Sequence, residues 1–291
     1  MLQRKKTDWP VSGTSSYAQP HRKMSRSWFF QVFLLALLVS NPAAAEQDLN
    51  DPLQVIEAIQ NLNWITEELS PFNYRDPDTG EITGASVDVL MQIFAKLGIK
   101  RDSINLKLYP WARGYHKVMN DPETVLFSTT YTQERLKNMK FLGPVVANFF
   151  TVTALKSRQL KIESVEDLNQ LKISVVRDDA AEKMLVGQGV NPEAIDPLNS
   201  GLSMVKKLAS GRVDAIAYSF VTTLSLFEKA NINPNDFEII YVLKQSNMGY
   251  AFHNTTDARI LEPMRKALDE LIIDGTRAKI LAKYGLESPN D

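Results

Sequence analysis

At 291 residues, 44% hydrophobic and 23% charged, with no cysteine and a formal net charge of −1, the chain has an ordinary globular composition, long enough for one large domain or two small ones. Without cysteine there is no disulfide framework and no thiol nucleophile, so a hydrophobic core must hold the fold. Residues 1–45 hold six of the basic residues and one acid, Asp8, which leaves 27 basic against 33 acidic residues, net −6, in the remainder; such a balance disfavours nucleic acid or an anionic membrane as partner.

The chain opens on a targeting pattern. Arg22, Lys23 and Arg26 precede the apolar run Trp28–Val39, and Ala43-Ala44-Ala45 ends an A-x-A cleavage pattern. The run is too short and wrongly flanked to span a bilayer, so residues 1–45 are expected to be a secretory signal peptide. Met24 would open a signal of more usual length, which makes 1–23 a possible mis-assigned start. With no cysteine to accept a lipid and no second apolar run of spanning length, the expectation is an anchor-free periplasmic protein.

Trp64-Ile65-Thr66 reads as a first strand, followed by a loop that carries Glu67 and Glu68 and by Asp76–Gly80, a turn sequence. Val87, Leu90, Met91, Phe94 and Leu97 fall on one helical face from about Ser86, and Gly98 can end that helix. Ile104, Leu106 and Leu108 alternate as in a strand, and Pro110 suits the first turn of the next helix, which also carries Trp111 and Arg113. Val125-Leu126-Phe127 then leads into Ser128-Thr129-Thr130-Tyr131-Thr132-Gln133-Glu134-Arg135. Small hydroxyls stand where this strand emerges, Thr132 is suited to cap a short helix, and Arg135 falls at its third position. A cation there opposes the helix dipole. It is either a solvated surface charge or, with the hydroxyls and free N–H groups, a site for a carboxylate held bidentately.

Further on, 149–155 is a long apolar run and Ser164–Leu168 a short helix. Lys172–Val176 is a strand, and Asp179 with Glu182 has capping-box spacing for a helix to about Gln188. A helix over 200–210, a strand over 213–218, a helix over 221–230, strands over 237–243 and 248–252, and helices over 257–273 and 275–284 complete the pattern. Strands alternating with helices at this spacing predict an α/β fold with two mostly parallel sheets. Ligands of such sheets sit beyond the carboxyl ends of the strands, where Thr66–Ser70, Ser128–Arg135, Arg177–Asp179 and Tyr218–Phe220 lie.

From about residue 60 to 286 the sequence resembles the extracellular solute-binding proteins of the amino-acid-binding type, with the type II periplasmic binding protein fold. The resemblance rests on Thr66-Glu67-Glu68 with Pro71-Phe72-Asn73, on Gly84–Leu90, and on Ser128 with Thr132-Gln133-Glu134-Arg135. Gly211–Ala215 and Asp274-Gly275-Thr276 through Tyr284-Gly285 complete it. The resemblance implies two lobes, 60–150 with 249–286 and 154–244, joined by hinge strands near 149–155 and 244–248. It also implies a monomer that closes on a small-molecule ligand and delivers it to a membrane permease with an ATPase subunit. Arg135 matches the family's Arg that grips the ligand carboxylate, and Ser128 and Thr130 match small residues of the same pocket. Two positions depart from the amino-acid pattern. Ser219 stands where an Asp often binds the ligand ammonium, and Asp178-Asp179-Ala180 replaces Gly-Thr-Thr. Asp178 or Asp179 has either taken over the ammonium role, or Asp179 is only a helix cap.

Glu67 or Glu68 either pairs with a cationic ligand group or is a solvated loop charge. Trp111 either stacks on the ligand or packs in the core, and Trp64 is expected in the core. Arg113 and Arg177 read as surface or inter-lobe charges, and Tyr131 and Tyr218 as pocket walls or buried packing. His116 and His253 show no metal-ligand spacing. There is no G-x-S-x-G elbow and no phosphate-cradling glycine loop, so neither metal nor cofactor is expected. The alternatives to uptake are a ligand-sensing module for a membrane receptor and a dehydratase-like enzyme built on Glu67, Asp178 and Arg135.

Overall fold

A computed structural model of the protein describes residues 49–288; the expected signal peptide lies outside them. Asp51 accepts the Leu53 N–H at 2.9 Å and Pro52 occupies the first position of α1 (Pro52–Asn61), which buries Val55, Ala58 and Ile59. This helix was not among the sequence expectations. Its Asp-Pro start is the signal that could have shown it.

Strand β1 (Asn63–Thr66) follows, then the hairpin of β2 (Tyr74–Arg75) and β3 (Ile82–Thr83) around the Asp76–Gly80 turn. Gly84 sits at φ 121°, where a Cβ would stand 2.5 Å from the Phe72 carbonyl oxygen. Only glycine allows the hairpin to lie so close to the start of α2 (Ala85–Lys96). The alternating run at 104–108 shortens to β4 (Lys107–Leu108), followed by α3 (Trp111–Asn120), β5 (Thr124–Thr130) and α4 (Gln133–Asn138). Trp64 is fully buried, with Phe94, Phe127 and Phe252 edge-on at 5.1, 6.1 and 6.0 Å and its indole N–H on the Ile59 carbonyl at 3.0 Å.

The chain then runs through β6 (Met139–Leu155), β7 (Ile173–Val176), α5 (Ala180–Gly187), β8 (Ile195–Leu198), α6 (Gly201–Ala209), β9 (Ala215–Ser219) and α7 (Phe220–Lys229). It returns along β10 (Phe237–His253) and ends in α8 (Ala258–Ile273) and α9 (Thr276–Lys283). The eight-stranded sheet has the order β4-β1-β5-β10-β6-β9-β7-β8. Each flank is parallel, β4-β1-β5 on one side and β9-β7-β8 on the other. The two 17-residue strands insert antiparallel between them. At roughly 3.3 Å per residue each is about 55 Å long, so the pair serves both flanks. Met248–Phe252 joins β5, and Phe150–Ala154 joins β9.

Two expectations are corrected here. The separate strands over 237–243 and 248–252 are one strand with register shifts, because Lys244–Asn247 stays paired with 147–150 despite its polarity. The edge strand β8 escaped notice because Pro197 argues against a strand unless it lies at an edge. Among the described residues no helix is long and apolar enough to cross a membrane.

Candidate functional site

Thr132 caps α4 by accepting the Arg135 N–H at 3.1 Å, and this fixes the backbone of Arg135 at the end of β5. The guanidinium does not reach solvent; Arg135 is 2% exposed. One amino group donates to the Thr130 carbonyl at 3.2 Å and the other to the Asp178 carbonyl at 3.0 Å. The second bond crosses from the β5 flank to the β7 flank. It exists because Asp178 has φ 60°, a left-handed conformation that turns its peptide toward Arg135. The face of the guanidinium lies 4.8 Å from the Trp111 ring and 5.2 Å from the Tyr115 ring, and these two rings stack at 5.6 Å, one helical turn apart on α3. Arg135 makes no ion pair among the described residues, and its other N–H groups have no protein acceptor there. The buried indole N–H of Trp111 has none either.

Beside this group lies a cavity of about 330 Å³. Glu67, Glu68, Tyr109 and Trp111 line it from one flank, and Asn199, Ser200, Gly201 and Tyr218 from the other. That is the small end of ligand pockets. Glu67 is 9% exposed, and its carboxylate has neither hydrogen bond nor ion pair among the described residues. Burial, reinforced by the Asp179 and Glu68 charges and opposed by Arg135, holds the Glu67 carboxyl well above the usual range. Burial also raises that of Asp179, although the Ala181 N–H and Arg135 pull the other way. The Tyr218 hydroxyl is pushed up by burial and then by both carboxylates.

The eight residues singled out from the sequence therefore fall into three groups. Glu67 and Trp111 line the cavity. Thr130, Asp178 and Arg135 are joined through the guanidinium, with the first two contributing backbone carbonyls, and Asp179 stands close enough to perturb Glu67. Asp179 also caps α5 by accepting the Ala181 N–H at 2.9 Å, while Glu182 accepts the N–H of Asp178 at 2.6 Å, one residue earlier than a capping box predicts. Ser128 and Ser219 are engaged elsewhere: the Ser128 hydroxyl donates to Ser86 at 2.8 Å, and that of Ser219 donates to Asn148 at 2.8 Å while capping α7.

Of the other candidates, Trp64 is in the core as expected, Arg113 lies over the Tyr109 ring at 4.6 Å, and Arg177 donates to Asn199 at 3.3 Å. Tyr131 packs edge-on against Phe141 at 4.6 Å, away from the cavity. Sequence reasoning missed Tyr109, Tyr115 and the turn at 199–201. Tyr115 was within reach, four residues after Trp111 on a helix, but the turn depends on β8.

A family model described as bacterial extracellular solute-binding proteins, family 3, matches residues 62–287. The L-cystine-binding protein TcyA of Bacillus subtilis is 22% identical over 214 residues, covering 74% of this chain and 76% of its own length. A probable amino-acid ABC transporter-binding protein of Haemophilus influenzae is 27% identical over 219 residues, covering 74% of this chain and 80% of its own. Among solved structures, an ancestral arginine-binding protein bound to arginine superposes with a TM-score of 0.66 at 26% identity, covering 77% of this chain and 97% of that one. Since the family model spans most of the chain, and the two-flank sheet is shared with solved periplasmic binding proteins, the protein belongs to the bacterial extracellular solute-binding proteins, family 3.

Proposed function

We propose that the protein captures a small, carboxylate-bearing, amino-acid-type solute between two lobes, 60–150 with 249–286 and 154–244. It would then present the solute to an ABC-type permease with its ATPase subunit. In this reading the signal peptide directs the chain to the periplasm, where it acts as an anchor-free monomer and binds rather than transforms its ligand. The observation that carries the proposal is the set of unspent donors beside the cavity: the buried Arg135 guanidinium, stacked under a Trp111 whose indole N–H has no acceptor. A buried donor without an acceptor, as at the Trp111 indole, costs about 1–3 kcal/mol, and a ligand carboxylate could relieve that cost while taking charge-assisted bonds from Arg135.

The contacts between the flanks fit a clamp that opens without its ligand. Glu68–Lys229 at 3.6 Å and Glu134–Lys183 at 3.8 Å are exposed pairs, each worth about 0–1 kcal/mol. The bond from Arg135 to the Asp178 carbonyl, a charged hydrogen bond, adds about 1.5–3 kcal/mol. Polar contacts of this size do not by themselves lock the flanks together, and a ligand touching both sides would shift the population toward closure. The relatives named as amino-acid-binding and ABC-transporter-binding proteins support the same role.

The test is a thermal-shift screen over amino acids, amines and small organic acids, followed by titration calorimetry. A true ligand at 100 times its Kd stabilises by about 2.7 kcal/mol. If carboxylate-free compounds bind best, Arg135 does not have the role proposed.

A further inference from the structure

Beside the unspent donors, the cavity holds an acidic group that carboxylate binding does not use. Glu67 lines the cavity and is nine-tenths buried, and its carboxylate has no partner among the described residues. The nearby cations do not neutralise it. Lys229, which also lines the cavity, is paired with Glu68 at 3.6 Å, and Arg135 is bonded to two carbonyls. Asp179 and Glu68 add further negative charge. A buried charge without a partner costs several kcal/mol, and such groups are characteristic of functional sites. The surrounding walls suit a cation: Tyr109, Trp111 and Tyr218 offer aromatic rings, and Leu202 and Leu226 offer apolar surface for an alkyl stem.

We infer that the ligand group filling this cavity is a cation, an ammonium or guanidinium on a short apolar stem, seated against the Glu67 carboxylate and walled by Tyr109, Trp111 and Tyr218. The inference rests on the solute-binding function proposed above and gives the ligand a polarity: carboxylate toward Arg135, cation toward Glu67. It also assigns a use to Glu67, whose carboxyl is pushed up by burial and the nearby acids and would be drawn back down by an arriving cation.

Calorimetry on the purified chain with two pairs of probes tests this: L-lysine against L-norleucine, and L-arginine against L-citrulline. Within a pair the side chains are similar in size and differ in charge. The cationic member of at least one pair is expected to bind at least about tenfold more tightly than its neutral partner. In Glu67→Gln that preference should fall to within about threefold, and Glu67→Asp should restore part of it. Neutral members binding as well as cationic ones to the unaltered protein, or an undiminished preference in Glu67→Gln, overturns the inference. So does binding confined to neutral amino acids outside the pairs. Each of these results leaves solute binding intact. Silence toward every amino acid overturns the proposed function and the inference together.

Discussion

Arg135 and Glu67 are both buried, both charged in their usual states and both close to strand ends at the junction of the two flanks, yet the protein surrounds them differently. Two carbonyls, one from each flank, and a pair of stacked rings hold Arg135. Glu67 lines a cavity, feels the charges of Asp179 and Glu68, and has no partner for its carboxylate among the described residues. The difference separates two kinds of polar burial. The guanidinium is anchored across the flanks and keeps donors in reserve for a ligand, whereas the Glu67 carboxylate has no anchor and stores a cost that a ligand can relieve.

Removing each charge should therefore have opposite consequences. Arg135→Ala leaves the Asp178 carbonyl without its donor and removes a ligand contact. Ligand affinity is expected to fall by at least about 2 kcal/mol, roughly thirtyfold, with a loss of stability in the same direction. Equal affinity by calorimetry would erase the distinction between the two ends. Glu67→Gln takes away a charge the unliganded fold does not pair, so the unliganded variant should be more stable at neutral pH by about 1–3 kcal/mol. At this chain length, that is about 2–4 °C in Tm per kcal/mol. A lower Tm in scanning calorimetry would mean that Glu67 has a structural partner after all.

The pH dependence sharpens the same contrast. The Glu67 carboxyl sits above its ordinary value of 4.5. As pH rises through that value the unfolded chain loses a proton that the folded protein keeps. Stability of the unliganded protein should thus fall as pH rises from 4.5 to the raised value, by at most about 1.4 kcal/mol per pH unit. Asp179, also raised, contributes in the same direction. Glu68, Arg135 and Tyr218 share the field around both groups. Urea midpoints measured between pH 5 and 8 should show this slope, and Glu67→Gln should reduce it without abolishing it. A slope of the opposite sign would show the carboxyl to be stabilised in its charged form. The smallest effect belongs to the exposed pair at the rim: Lys229→Ala, which breaks the contact with Glu68, should change stability by less than about 1 kcal/mol. A larger loss would make that pair a closure contact in its own right.

The sequence by itself determined the local elements and much of the chemistry. Thr132 as the cap of α4, Asp179 as the cap of α5, the apolar face of α2 and the burial of Trp64 depend on neighbours a few residues apart or on side-chain character. The same local logic put Arg135 at the third position of its helix. Tertiary structure decided how those charges are used. The bond from Arg135 to Asp178 spans 43 residues and needs a left-handed backbone at a non-glycine position. The hydroxyls of Ser128 and Ser219 were drawn to Ser86 and Asn148, partners 42 and 71 residues away. Burial of Glu67 requires the β8–α6 turn and Tyr218 from the far flank to stand opposite the end of β1. Periodicity and capping are short-range signals. Which polar group is paired and which is left for a ligand depends on segments that meet only when two 17-residue strands bring the flanks together.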